Sequence, residues 1–148
     1  GPGELCAFIK GSFAMLNISR SIYSRNKHII LLITIVSLVH APSLWNGFVN
    51  WDDNLHLTAN PFVRTLDLKH VADIFTTVVN KNYIPLTSLS FAVEKHFFGL
   101  NPFVYHLNNL LLHLAICVMV LITAQAFGLS ARAAFLGALV FGLHPMHV

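Results

Sequence analysis

Charged side chains are scarce in this sequence. Asp, Glu, Lys and Arg make up only 10% of its 148 residues, against roughly 25% in a typical soluble domain. The nine basic and six acidic residues leave a formal charge of only +3. A soluble enzyme needs more charge to cover its surface, and a nucleic-acid-binding domain needs a strong basic excess. Both classes are disfavoured, and we expect no nucleic-acid partner.

Cysteine is also rare, and the chain is strongly apolar instead. Its two cysteines, Cys6 and Cys117, predict no disulfide framework, because Cys117 lies inside an apolar run. Hydrophobic residues reach 55%, and the mean hydropathy is +0.67. Such a composition excludes intrinsic disorder. We therefore expect an integral membrane protein that contacts the lipid bilayer.

The first residues look artificial, and the C-terminus is unusual too. Gly1-Pro2 is typical of a cleaved tag, and Met15 would be a natural start. We expect residues 1–14 to be a tag remnant and residues 15–148 to be the native membrane segment. The chain ends directly after an apolar run with no polar tail, which is typical of a fragment of a longer protein.

Apolar runs predict three membrane spans, over about 29–45, 103–127 and 132–148. Arg20, Arg25 and Lys27 precede the first run, and Arg132 begins the third. The positive-inside rule then places the N-terminus in the cytoplasm and the interval 46–102 outside it. A cleaved signal peptide is the alternative for the first run, but Pro42 disfavours cleavage after Ala41.

The interval 46–102 contains two helical patterns that are too short or too polar to span. Asp67 can cap a helix over 68–79, whose apolar residues recur on one face. Pro85 can begin a second helix that Gly99 ends. The predicted fold is all-α and integral to the membrane. It has three transmembrane helices and a large outer loop carrying two short amphipathic surface helices.

Asp52-Asp53, shortly after the first span, is the sharpest polar feature. Adjacent carboxylates beside a membrane repel each other and are costly to desolvate. Such pairs bind a divalent cation or keep a proton for acid–base chemistry. The alternative is a solvated turn, since Asp-Asp-Asn is an ordinary turn sequence.

A polar face on the long span is the second feature. His106, Asn109 and His113 are spaced by three and four residues, so they share one side of a helix. The two histidines lie about 10 Å apart along the axis, too far for one metal ion. Hydrogen bonding between helices is the alternative to a ligand site. A third feature, His144 and His147 around Pro145, permits a metal site or an ordinary helix end.

Several motifs in order carry a family resemblance. They are FVNWDDN at 48–54, Asn60-Pro61, Pro85-Leu86-Thr87, FGLNP at 98–102, YHLNNLLLH at 105–113 and HPMH at 144–147. Together they resemble GT-C fold membrane glycosyltransferases. The likeness is strongest to the branch of protein O-mannosyltransferases and their relatives with tetratricopeptide repeats (TPR), of which this chain would be the N-terminal part.

The resemblance implies a multispanning enzyme that transfers a sugar, mannose in this branch, from a polyprenyl-phosphate donor to an acceptor hydroxyl on a protein or glycan. Transfer would take place at the outer or lumenal face of the bacterial inner membrane, or alternatively of the endoplasmic reticulum. The parent would be the enzyme, and this fragment would be inactive alone. A non-enzymatic membrane module, such as a transporter subunit or assembly factor, is the competing interpretation.

The resemblance also assigns roles to individual residues. Asp53 or Asp52 would be the catalytic carboxylate, acting as general base or holding a divalent Mg²⁺ or Mn²⁺ ion. Ile84 stands where many relatives have an Arg before Pro-Leu-Thr, so Lys81, Lys95 or Arg64 would have to supply a cation near the lipid phosphate. His106, Asn109 and His113 would complete the substrate-binding surface.

Overall fold

A computed structural model describes residues 26–49, 53–79 and 81–144 of the chain. Within these ranges the structure is mainly α-helical and contains no β-strand, only one isolated backbone pairing between Val79 and Asn82. The residues divide into two compact units. We call 26–39 with 111–144 the helical unit, and 40–110 the loop unit.

The first apolar run forms helix α1 over residues 26–40, and a 3-10 turn, Ala41–Trp45, extends it. The long span forms α4, Pro102–Ala126, and the last apolar run forms α5, Ala131–Leu143. Two helices, Asn26–Trp45 and Pro102–Ala126, are long and apolar enough to cross a membrane. With 13 residues, α5 rises only about 20 Å against the roughly 30 Å of hydrocarbon. Residues 145–148 of the third predicted span lie outside the described residues.

The helical unit is held by small and branched side chains from three helices. Leu32 and Val36 of α1 pack with Cys117 and Leu121 of α4 and Ala138 of α5, all fully buried. Gly142 of α5 lies at the same contact. A Cβ atom there would stand 2.7 Å from Val36 Cγ2 and 3.0 Å from Cys117 Sγ. Hydrogen is therefore the only side chain that fits without displacing a neighbour.

The loop unit contains α2, Leu68–Thr76, and α3, Pro85–Phe98, together with the first turns of α4. Between α1 and α2 lie a π-helical turn, Asn54–Thr58, and a 3-10 turn, Pro61–Val63. One residue from each of these elements builds the core. They are Leu57, Val63, Ile74, Ala92 and Tyr105.

Helix α2 begins as predicted, because the Asp67 side chain accepts a hydrogen bond from His70 N at 2.8 Å. This bond, followed by the side-chain bond from His70, lowers the pKa of Asp67. The helix ends at Thr76, three residues before the predicted end, and Thr77 is already extended. β-Branched residues from Thr76 to Val79 favour that early switch to extended backbone. Only Ile74 of the predicted apolar face is buried, while Leu68 is 92% exposed.

Helix α3 matches its predicted bounds at both ends. Pro85 occupies the first turn, where its missing N–H removes no intrahelical bond. Gly99 follows Phe98 with φ of 63°, a left-handed conformation that glycine adopts without strain. Tyr105 then donates a hydrogen bond from its hydroxyl to the Gly99 carbonyl at 2.9 Å. This bond fixes the short connection between α3 and α4.

The contact at Gly142 predicts the effect of adding one methyl group. Gly142→Ala forces a Cβ against Val36 and Cys117, and overpacking of this kind costs about 1–3 kcal/mol. Gly137→Ala on the same helix is the matched control, because nothing lies within 4 Å of its added Cβ. Thermal unfolding in detergent should show a lowered midpoint for Gly142→Ala and an unchanged or raised midpoint for Gly137→Ala. Equal midpoints would contradict the packing described.

Candidate functional site

Asp53 lies at the start of the π-helical turn and is half-buried. Its Oδ2 accepts a hydrogen bond from Val49 N at 2.9 Å. Within the described ranges no residue donates to Oδ1. Asp52 and the preceding Trp51 lie outside those ranges. One oxygen of Asp53 therefore holds the loop that follows α1, and the bond fixes the orientation of the carboxylate.

The loop around Asp53 is anchored on both sides. Upstream, Phe48 packs edge-on against the buried Tyr105 ring with 5.4 Å between centroids. Downstream, Asn60 is 1% exposed. Its Nδ2 donates to the His56 carbonyl, and its Oδ1 accepts from Phe62 N, both at 3.0 Å. Asn60 thus joins the end of the π-helical turn to the following 3-10 turn.

Lys81 occupies a strained position between α2 and α3. Its φ is 65°, the only positive value at a non-glycine residue in the described chain. Val79 and Asn82 exchange two backbone hydrogen bonds of 3.0 and 2.9 Å around it. The exposed ammonium group is therefore presented at the tip of a tight turn. Non-glycine residues in this conformation are uncommon and concentrate at functional sites.

Lys95 lies on α3 and is half-buried. Burial first, and then the positive charge of Arg64, lower the pKa of Lys95. Arg64 directly follows the buried Val63, and Lys95 lies one helical turn after the buried Ala92, which belongs to the same core cluster. Neither cation forms an ion pair with any residue that the structure describes. Two like charges near each other favour a bound anion.

The predicted polar face of α4 is divided between the two units. In the loop unit, the His106 side chain is half-buried and its Nε2 is buried without a partner, whereas Asn109 is exposed. In the helical unit, His113 is 5% exposed. Its Nε2 lies 3.0 Å from the Gly142 carbonyl, so Nε2–H donates there.

Sequence reasoning missed a polar cluster in the loop unit. Glu94 is 7% exposed, and its Oε1 accepts hydrogen bonds from Ser90 and Asn108. The predicted polar face of α4 includes the adjacent Asn109 but not Asn108. Polar residues on α3 and α4 at facing positions were the available signal, but their pairing depends on how the helices pack.

A divalent metal was one interpretation of the acidic pair. Within 26–49, 53–79 and 81–144, no three His, Cys, Asp or Glu side chains group in a way that would hold a metal ion. Asp53 supplies one carboxylate, with one oxygen engaged by Val49 N. Mg²⁺ is usually held by one or two carboxylates together with waters and substrate phosphates. The described residues thus contain no protein-only metal site, and Asp53 contributes a single carboxylate to this loop.

Comparison with known proteins finds similarity to protein O-mannosyl-transferases. The chain is 31% identical to mouse (Mus musculus) "Protein O-mannosyl-transferase TMTC3" over 131 residues, covering 82% of this chain and 14% of that protein. Mouse TMTC2, also a protein O-mannosyl-transferase, is 36% identical over 92 residues, covering 62% of this chain and 10% of the relative. The human (Homo sapiens) TMTC3 protein is 30% identical over 131 residues, with the same 82% and 14% coverage.

These similarities confirm the resemblance to the O-mannosyltransferase branch. The chain spans only about a seventh of the length of the TMTC3 relatives that it matches. No family model matches the sequence, and no solved structure matches it.

The two hydrogen bonds of Asn60 predict a stability effect. Asn60→Ala removes the side-chain partners of the buried His56 carbonyl and of the part-buried Phe62 N–H, which costs roughly 1–3 kcal/mol. Asn82→Ala is the control, since Asn82 is exposed and its backbone bonds survive the substitution. Thermal unfolding in detergent should show a clear loss for Asn60→Ala alone. A loss of the same size in both variants would show that Asn60 does not anchor the loop.

Proposed function

We propose that this chain, a relative of the protein O-mannosyl-transferases, is the N-terminal membrane segment of an enzyme that transfers mannose from a polyprenyl-phosphate donor to a protein hydroxyl. The position of the acidic pair carries the proposal. Asp52 and Asp53 follow the candidate span Asn26–Trp45 by seven and eight positions in the sequence, and in this proposal their carboxylates lie at the depth of lipid headgroups. A lipid-linked phosphate would lie at that depth.

Sugar transfer requires a base that accepts the proton of the acceptor hydroxyl. The acceptor oxygen bonds to C1 of the sugar, and the bond from C1 to the phosphate oxygen breaks, so that polyprenyl phosphate leaves with the electron pair. The hydroxyl proton passes to a carboxylate oxygen. Asp53 suits this role because the hydrogen bond from Val49 N to Oδ2 orients the group. Oδ1 then faces the acceptor, while Asp52 is the second candidate.

The leaving phosphate needs positive charge beside it. Ile84 supplies none at the position where many relatives have Arg. Lys95, with Arg64 near it, offers a half-buried cation without an acidic partner among the described residues, and Lys81 offers an exposed one. We assign the phosphate to Lys95 first. His106, Asn109 and His113 are proposed to line the path of the sugar or lipid.

The proposal includes the side of the membrane on which transfer occurs and a divalent metal ion. Basic residues before α1 favour an outer location for the acidic pair. We therefore propose transfer at the outer face of the bacterial inner membrane, with the lumenal face of the endoplasmic reticulum as the alternative. A divalent Mg²⁺ or Mn²⁺ ion held by Asp52 and Asp53 would neutralise charge on the phosphate. If transfer persists after divalent ions have been removed with a chelator, the carboxylates act only as the general base.

Asparagine substitutions test the carboxylates in the full-length parent. Asp53→Asn keeps the shape but removes the basic oxygen, so the mannosyl-transfer rate should fall on the order of 10²–10⁴-fold. Asp52→Asn, measured beside it, decides between the two residues. Asp73→Asn on α2 is the matched control and should retain the normal rate. Normal transfer by both Asp52→Asn and Asp53→Asn would refute the catalytic assignment and favour a solvated turn.

Neutralising Lys95 tests the phosphate contact. Lys95→Gln removes a charge-assisted bond worth about 1.5–3 kcal/mol, so the KM for the polyprenyl-phosphate donor should rise roughly tenfold or more. The KM for the acceptor should not change. Lys69→Gln on α2 controls for loss of one positive charge from the loop. A normal donor KM in Lys95→Gln would move the assignment to Lys81 or Arg64.

A further inference from the structure

Glu94 is the least expected charged residue of the loop unit. It is 7% exposed and joins two helices through one oxygen. Oε1 accepts from Ser90 Oγ on α3 at 2.9 Å and from Asn108 Nδ2 on α4. Asn108 Nδ2 also lies 3.1 Å from Ser90 Oγ. We call these three residues the Ser90–Glu94–Asn108 cluster.

The second oxygen of Glu94 has no partner. Oε2 is buried and accepts no hydrogen bond from any residue that the structure describes. No described cation lies within salt-bridge distance of Glu94 either. The titratable and charged groups on its own helix and on the elements packed around it are Lys95, His96, His56, Arg64, Lys69, His70, Asp73, Tyr105 and His106.

This pattern of hydrogen bonds fits a neutral carboxylic acid. A carboxylate distributes its charge over both oxygens, and each normally collects donors. Here both donors converge on Oε1, as they would on the carbonyl oxygen of a protonated acid, which leaves Oε2 as the hydroxyl. An unpaired buried hydroxyl costs far less than an unpaired buried charge.

Burial acts in the same direction. Desolvation raises the pKa of Glu94, and the hydrogen bonds from Ser90 and Asn108 only partly oppose it. An ionised Glu94 would need a donor at Oε2, and no residue that the structure describes supplies one. A separation of α3 from α4 would admit water to that buried atom. Loss of the proton and separation of the helices are therefore linked.

We propose that Glu94 makes the contact between α3 and α4 dependent on a proton: the neutral acid holds the two helices together, and release of the proton to solvent separates them. The Ser90–Glu94–Asn108 cluster then acts as a pH-sensitive closure of the loop unit. This inference does not depend on the sugar-transfer reaction.

The sign of the effect follows from proton linkage. Above the ordinary pKa of Glu, the separated or unfolded state has lost its proton, while the closed state keeps one up to its own higher pKa. The closed state therefore loses stability as pH rises through this window. The contact is strongest at the acidic end of this window. Within the window, the equilibrium constant for closing the contact falls about tenfold per pH unit.

Isotope labelling can observe this proton directly. Glu4 and Glu94 are the only glutamates in the sequence, so ¹³C-labelled glutamate gives two carboxyl signals in NMR spectra of the chain in detergent. Glu4→Gln assigns them. We expect the Glu94 carbon to titrate at clearly higher pH than the Glu4 carbon. Titration of both carbons at the same pH would overturn the proposal, even if no Glu94 variant can be folded.

Hydrogen exchange tests the mechanical consequence. After correction for intrinsic rates, amide exchange in α3 should speed up by up to about tenfold per pH unit between the ordinary pKa of Glu and the Glu94 midpoint, and should level off above that midpoint. Glu94→Gln imitates the neutral acid, so this dependence should vanish and protection should persist. Asp73→Asn should retain the wild-type dependence. A pH dependence that is unchanged in Glu94→Gln would show that another group controls the contact.

Discussion

Several buried polar side chains among the described residues of this charge-poor chain form hydrogen bonds with specific partner groups. Asn60 joins two successive turns by bonding backbone on both sides. Tyr105 closes the connection between α3 and α4 through the Gly99 carbonyl, and His113 reaches the Gly142 carbonyl within the helical unit. Because an unpaired polar group is costly in a dry environment, these contacts determine local geometry as strongly as the apolar core does. Within the loop unit, the Asn60 bonds and the packing of Phe48 on Tyr105 position the loop that carries Asp53.

Local signals allowed much of the fold to be predicted. Pro85 and Gly99 determine both ends of α3, and Asp67 determines the start of α2, because capping depends only on residues within one turn. The end of α2 was wrong by three residues, since no Gly or Pro marks it and β-branched residues shift it gradually. Two of the three predicted spans have candidate helices. The third prediction remains untested at its C-terminal end.

Contacts between distant residues were harder to predict. The acceptor of His113 is a backbone carbonyl 29 positions along the chain, and periodicity contains no information about such a partner. Glu94 looked like a reason why α3 could not span a membrane, whereas the structure buries it against Asn108, 14 positions away. The family resemblance indicates Asp53 or Asp52, but the bond from Val49 N to Asp53 depends on how the loop folds back. The partners of these side chains depend on how the helices and loops pack, which residue spacing in the sequence does not determine.

Transfer of mannose from a lipid-linked phosphate is the central claim, and the identity of the donor tests it most directly. The full-length parent should be reconstituted in liposomes with an acceptor protein and either polyprenyl-phosphate mannose or a nucleotide-linked mannose. We predict that mannose appears on acceptor hydroxyl groups with the polyprenyl-phosphate donor only. Transfer from the nucleotide donor alone, or no transfer from either donor by a folded parent, would contradict the account.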